Sequence, residues 1–407
     1  MKYAVIGFGG RGTVYTKNLM EDPRTELVAV CDINPKKKDV ACKQYGLKEE
    51  NFYLSDEEFF AQGKLADLLV IATMDQDHYG HAISALKVGY DLLLEKPMCE
   101  NYERCEEIYE LAKKLNRKVF ICHVLRYAPF FVFIKEQLDS GKFGDIVTIN
   151  HTENVATWHQ AHSFVRGNWR NKELATPMIV QKCCHDFDII SWFMGKKCES
   201  VSSYGSLTHF KRENAPEGSA DYCFECPLQD KCIYNCMPFY YGCGSWLQDA
   251  YFDTNDKKLV REFLSDKNNP YGRCVYKCDN NVVDHQVVNM LFENGATAHL
   301  TMTAFSKECY RELHIHCTKG EIYGSMLDNK LTLNIYGGEC KTVDVGAFSD
   351  GKYGHGGGDA RLVHDLVEIF EGGESKGLTT IENSLQSHKI GYAAEQSRME
   401  GGKAQKI

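Results

Sequence analysis

Residues 2–32 read KYAVIGFGGRGTVYTKNLMEDPRTELVAVCD: a short apolar strand, a glycine-rich turn, a helical stretch and a second strand ending in an aspartate. Gly7, Gly9 and Gly12 form G-x-G-x-x-G, with Phe8, Gly10 and Arg11 filling the loop. That spacing answers a specific need: a tight turn, then a backbone that approaches a pyrophosphate closely, then a helix packed tightly on its strand. The helix N-terminus adds free N–H groups and a positive dipole end. Asp32 follows Gly12 by 20 residues. A carboxylate there accepts hydrogen bonds from ribose hydroxyls and repels a 2′-phosphate, which predicts NAD over NADP. Lys36 to Lys38 are placed to soften that repulsion.

Working outward, the first ~125 residues alternate buried strands (68–73, 92–95, 119–123) with helical patterns. Ile108, Leu111, Ala112 and Leu115 fall on one helical face. Such alternation predicts a parallel sheet covered on both sides. Beyond that point the strands lengthen and partly alternate, at 147–153, 201–207, 282–292, 297–305, 312–317 and 331–336. Turn signals such as Glu293-Asn294-Gly295 join them, which predicts a largely antiparallel sheet. The expected organisation is α/β: a Rossmann domain over 1–124, then an α+β domain over 125–407 with an open sheet. Residues 208–280 read as an irregular, cysteine-rich insertion, and a final helix is expected over 359–370, with Asp359 as its N-cap.

The 407-residue chain carries 47 Lys and Arg against 56 Asp and Glu, a formal net charge of −9. Neither nucleic acid nor an anionic membrane rewards that balance. No stretch approaches the ~18 apolar residues of a membrane span, and Met1-Lys2-Tyr3 leads straight into a strand rather than a secretory leader. Eighteen cysteines, mostly single within apolar runs, fit a reducing cytoplasm.

The stretch from Leu68 to Met98, with Ala72-Thr73, His78 and Glu95-Lys96-Pro97, resembles the glucose–fructose oxidoreductase, inositol dehydrogenase and rhizopine catabolism family, Gfo/Idh/MocA. Asn168-Trp169-Arg170, His185 with Asp188, HGGGD (355–359) and GYAAEQSR (391–398) continue the likeness. The resemblance implies a Rossmann domain, a second domain with an open sheet, homodimers or homotetramers through that sheet, and C-terminal helices packed back on the first domain. It implies that Lys96 sits by the nicotinamide and the reacting hydroxyl, often before a cis proline. It also places Thr73, His78 and Glu95 in the cofactor cleft, brings Trp169 and Arg170 to it from the second domain, and makes His185 the acid/base partner.

Removing a proton as hydride leaves carbon suits a desolvated lysine or a histidine. Asp188, one turn beyond His185, is placed to fix its tautomer. Many relatives carry an Asp where this chain has Gln181, followed by Lys182. Either His185 works alone, Lys182 contributes, or the reaction departs from simple dehydrogenation. Arg126, Tyr127, Trp158, His159, His162 and Asp188 are candidates for a carbohydrate substrate, which asks for aromatic faces and fixed polar groups. His159 and His162 are also spaced for a shared metal, against plain packing.

Cys223, Cys226, Cys232 and Cys236 make C-x2-C-x5-C-x3-C. In a reducing compartment such thiolates cage a metal more readily than they form disulfides. Structural zinc is the default and an iron–sulfur cluster the rival, with Cys243, Cys274 or Cys278 as alternative fourth ligands. Three functions compete: NAD-dependent oxidation of a sugar, glycoside or cyclitol; a redox-neutral glycosidase using transient C3 oxidation and elimination; and a non-enzymatic NAD sensor.

Overall fold

The computed structural model describes residues 1–243, 256–348, 355–373 and 379–407. Six strands form a wholly parallel sheet: β1 (Lys2–Ile6), β2 (Glu26–Cys31), β3 (Phe52–Tyr53), β4 (Leu68–Ile71), β5 (Asp91–Leu94) and β6 (Val119–Ile121). Their order is β3-β2-β1-β4-β5-β6, so the connection reverses direction between β1 and β4. Ligands of open α/β sheets bind beyond the strand ends at that switch point. β4 is buried along its whole length because helices cover both faces, hence its unbroken run Leu-Leu-Val-Ile.

Nine strands make the second sheet: β7 (Ile146–Asn154), β8 (Cys198–Ser206), β9 (His285–Phe292), β10 (Thr297–Thr303), β11 (Tyr310–Cys317), β12 (Gly320–Ser325), β13 (Lys330–Ile335), β14 (Cys340–Asp344) and β15 (Gln405–Lys406). The order is β14-β13-β12-β11-β7-β10-β9-β8-β15. Only β7 and β10 pair in parallel; every other pair is antiparallel. In β10 the burial alternates residue by residue, so one face is packed and the other is open.

The Met178–Met194 helix lines the packed face and is buried nearly all round. The Ile381–Met399 helix crosses it and also touches β8, β6 and the Tyr102–Lys114 helix, which joins the two sheets. The Gly358–Phe370 helix is therefore not the last one. Asp359 is not its N-cap either, since Gly357 holds that place. The insertion is also more ordered than expected. It contains the Cys236–Gly242 and Lys257–Ser265 helices around a small core of Met237, Tyr240, Val260, Leu264 and Tyr271. No helix among the described residues is long and apolar enough to cross a membrane.

Candidate active site

At the end of β1 the chain turns through Gly7, whose φ is +86°. A Cβ there would stand 2.6 Å from the Ala72 carbonyl carbon, and one on Gly12 would stand 2.1 Å from the Gly7 oxygen. Both glycines are thus required by close backbone approach. A Cβ on Gly9 would meet nothing within 4 Å, so this side of the turn is an open cradle. The Gly10–Met20 helix begins there with no side-chain cap and no acidic residue in its first turn. Its first N–H groups are of the kind that hold a pyrophosphate. Asp32 braces the turn: its carboxylate accepts from Phe8 N at 2.7 Å and from Asn34 N at 2.8 Å.

Arg11 turns inward. Its guanidinium reaches Glu95 at 2.7 Å and Asp359 at 2.6 Å, and it also bonds the Tyr15 hydroxyl. Tyr15 donates to Glu95 at 2.6 Å. Burial alone would raise the Glu95 carboxyl, but Arg11 and Lys96 outweigh it and hold it below the usual range. Burial is likewise overcome at Asp359, where His355 and Arg11 keep the carboxylate ionised.

Next along β5 the Lys96–Pro97 peptide is cis. The Lys96 ammonium donates to the backbone carbonyl of Gln181 at 2.8 Å, crossing from the first sheet to the Met178–Met194 helix. His78 lies 2.8 Å from the Pro97 carbonyl and 3.1 Å from that of Thr73, so it ties the ends of β4 and β5 together. Thr73 in turn meets His81 at 3.1 Å. Trp169 donates to Asp75 at 3.0 Å, docking the second half of the chain on the first. Arg170 pairs instead with Asp279 of the insertion at 2.8 Å.

His185 lies one helical turn beyond Gln181 and is 5% exposed. Its ring sits 5.6 Å from His123 and 6.0 Å from His355. Burial, then the nearby Lys96 charge, push its pKa well below the ordinary value. It is therefore neutral at pH 7 and able to accept a proton. Asp188 does not fix its tautomer: both carboxylate oxygens are taken by Arg126, each at 2.7 Å. Arg126 is thereby engaged inside the protein, and Tyr127 packs in the core with Leu362 and Leu366.

Lys182 stands 3.2 Å from Glu153, a fully buried carboxylate on β7. Arg311 from β11 reaches the other oxygen of Glu153 at 2.9 Å and Asp186 at 2.7 Å; His151 meets Asp186 at 2.8 Å. Burial would lower the Lys182 pKa, but Glu153 reverses this and raises it. His159, pushed well down by burial and then by Lys182, lies beside Cys309 at 3.7 Å and stacks with Trp158. His162 instead meets the Tyr240 hydroxyl at 2.7 Å and stacks on Tyr271 at 4.8 Å. The two histidines address different neighbours, which removes the shared-metal reading. Sequence reasoning missed Glu153, Arg311, His123 and Cys309. One signal was present: His151 and Glu153 occupy inward positions of an alternating strand, where apolar residues belong.

Cys223, Cys226, Cys232 and Cys274 line one pocket of about 340 Å³ in the insertion. Cys236 packs in the small core of that segment against the Cys223 thiol, but unlike Cys223 it does not line the pocket.

Residues 1–123 match the Gfo/Idh/MocA oxidoreductase family's NAD-binding Rossmann fold, and residues 135–405 match its C-terminal alpha/beta domain. The chain belongs to the Gfo/Idh/MocA oxidoreductase family. Among its relatives, a protein of Bacillus subtilis (strain 168) named as an oxidoreductase, YteT, is 25% identical over 373 residues, covering 87% of this chain and 85% of YteT. An inositol 2-dehydrogenase/D-chiro-inositol 3-dehydrogenase of Lactiplantibacillus plantarum is 25% identical over 195 residues, 47% of this chain and 52% of the relative. The alignment thus spans about half the length of that dehydrogenase. The crystal structure of an inositol dehydrogenase homolog from Azotobacter vinelandii, complexed with NAD+, shares the fold of this Gfo/Idh/MocA member. Its TM-score is 0.72 at 16% identity, covering 100% of this chain and 97% of that one.

Proposed function

We propose that the protein oxidises a secondary hydroxyl of a sugar, glycoside or cyclitol, with NAD as hydride acceptor. In this reading residues 1–124 hold the cofactor and residues 125–407 the substrate. The observation that carries it is the convergence of Lys96, from the first sheet, with the helix that presents His185. Gly7, Gly9, Gly12, the open helix end and Asp32 fit a dinucleotide, with Thr73, His78, Glu95 and Trp169 framing the cleft. NAD supplies the hydride acceptor. Lys96 orients the hydroxyl, and neutral His185 accepts its proton. Incubation with NAD and a panel of monosaccharides, glycosides and inositols tests this by NADH absorbance; a panel with no response counts against it.

One observation favours the glycosidase reading as a second choice. Lys182 and Glu153 add a buried acid–base pair beyond the hydride site, and elimination followed by water addition needs such a pair. Free sugar released without net NADH would support it, and strict NADH stoichiometry would exclude it. The sensor reading predicts NAD binding with neither product.

Self-association through the open face of the nine-stranded sheet belongs to the same proposal, supported by the exposed Val147, Tyr323 and Leu291 there. So does a cytoplasmic setting, which rests on the thiol-rich composition. A metal on the insertion's thiolates acts in this reading as a staple and takes no part in hydride transfer.

A further inference from the structure

The insertion brings four cysteines to one pocket, three from a single short segment and one from far along the chain. Cys223, Cys226 and Cys232 lie on consecutive turns. Cys274 comes from a segment pinned beside them by a bridge between Tyr222 and Arg273, and by Cys274 N donating to Asp221 O at 2.8 Å. The other walls are largely apolar, with Leu228, Val275, Tyr234 and Tyr276 among them.

The spacing of the sulfurs and the size of the pocket they share bear on the occupant. A single tetrahedral zinc, with bonds of about 2.3 Å, draws its sulfurs to about 3.8 Å apart. Among the described residues, the set of three or more ligand atoms lying within 4.8 Å of one another is His314, His316 and Glu321; no three of these sulfurs do so. A cubane cluster binds each thiolate to its own iron, at separate corners, and so fits sulfurs spread around a larger cavity. From this geometry we infer that Cys223, Cys226, Cys232 and Cys274 ligate a [4Fe–4S] cluster. The inference deepens the metal-staple reading and is independent of the hydride reaction. Each thiol gives up its proton on ligating iron.

The surroundings suit a negatively charged cluster. Arg166 is buried and donates to Cys223 Sγ at 3.7 Å, and Lys231 stands on the rim. Arg166 also holds the carbonyls of Arg273 and Tyr234, at 2.7 and 2.8 Å. It belongs to the Gln160–Arg166 turn that follows His159 directly. The cluster thus fastens the insertion to the segment that faces Lys182, a positioning role.

The test is anaerobic purification of the full chain, or its reconstitution with ferrous iron and sulfide. Iron, acid-labile sulfide and zinc would be quantified, with visible absorption and electron paramagnetic resonance after reduction. The expected result is about four irons and four sulfides per chain. Cys274→Ser should lose the cluster, and Cys236→Ser should keep it. One zinc per chain without visible absorption would overturn the cluster while leaving the staple reading standing. A metal-free chain after reconstitution would overturn both. Loss in Cys236→Ser with retention in Cys274→Ser would overturn the ligand set. Should Cys274→Ser not fold, the wild-type metal analysis and the Cys236→Ser result still decide.

Discussion

Lys96 Nζ stands 2.8 Å from the backbone oxygen of Gln181, one turn before His185. The contact uses the main chain of residue 181, so the absence of an acidic side chain there leaves the ammonium anchored. Lys96→Ala should lower turnover roughly 10²–10⁴-fold, the usual worth of a positioned proton-transfer group. NAD binding, followed by fluorescence, should change little, because the glycine turn and helix end are untouched. Parallel loss of binding and turnover would instead make Lys96 a cofactor anchor.

His185 gives a pH signature. Burial and Lys96 depress its pKa, so the base stays neutral as pH falls through the ordinary histidine range near 6.5. The acid limb of kcat/KM for oxidation should therefore lie below that range, and His185→Asn should abolish turnover across it. A limb at or above pH 6.5 would assign the base to another group.

Much of the fold was legible in residues 2–32, because a glycine turn between two strands admits few alternatives. The second sheet was legible only where strands alternate, as in β9 and β10. The two-residue β3 and β15 are too short for any period to register, and β14 (CKTVD) is almost wholly exposed and carries no apolar alternation. The Met178–Met194 helix was legible only in the one-turn spacing of His185 and Asp188: it is buried nearly all round, polar Gln181, His185, Asp186 and Asp188 included, so no amphipathic stripe marks its length. In the site, chain spacing cannot reveal charge pairing across strands. Arg126 seemed free for substrate until Asp188, 62 positions away, was found to hold it. The role of Cys274 depends on a bridge between segments 51 positions apart.

Glu153 lies between two cations, Lys182 and Arg311, with no exposure of its own. Glu153→Gln should leave both short of countercharge and destabilise the protein by about 3–5 kcal/mol, the cost of breaking a buried pair from one side. Urea unfolding would measure it. Combining Glu153→Gln with Lys182→Met should cost less than the sum of the two. Additivity would mean the pair does not interact.

Asp32 should govern the choice of dinucleotide. Asp32→Ser removes the charge that repels a 2′-phosphate while keeping a hydrogen-bonding side chain beside Phe8 N. The ratio of kcat/KM for NADP over NAD should rise roughly tenfold or more, equivalent to about 1.4 kcal/mol. An unchanged ratio would shift discrimination to another part of the cleft.

Three buried histidines should make the fold acid-sensitive. Burial is the leading cause in each case, holding His123 near a pKa of about 4, and His162 and His388 near about 3. In the unfolded chain each titrates near 6.5. Between those limits the unfolded state binds protons that the folded state refuses. The stability from these groups is thus fully present above about pH 6.5 and is lost as pH falls toward 4 and 3. Each histidine contributes a slope of about 1.4 kcal/mol per pH unit inside that window. His123 offers the cleanest test, since neither ring nitrogen has a hydrogen-bond partner among the described residues. His123→Phe keeps an aromatic ring beside His185 and His388 but cannot be protonated. Urea unfolding between about pH 8 and pH 4 should show the decline, and the variant should lower its slope by about one proton. An unaltered slope would mean that His123 is already protonated in the folded protein.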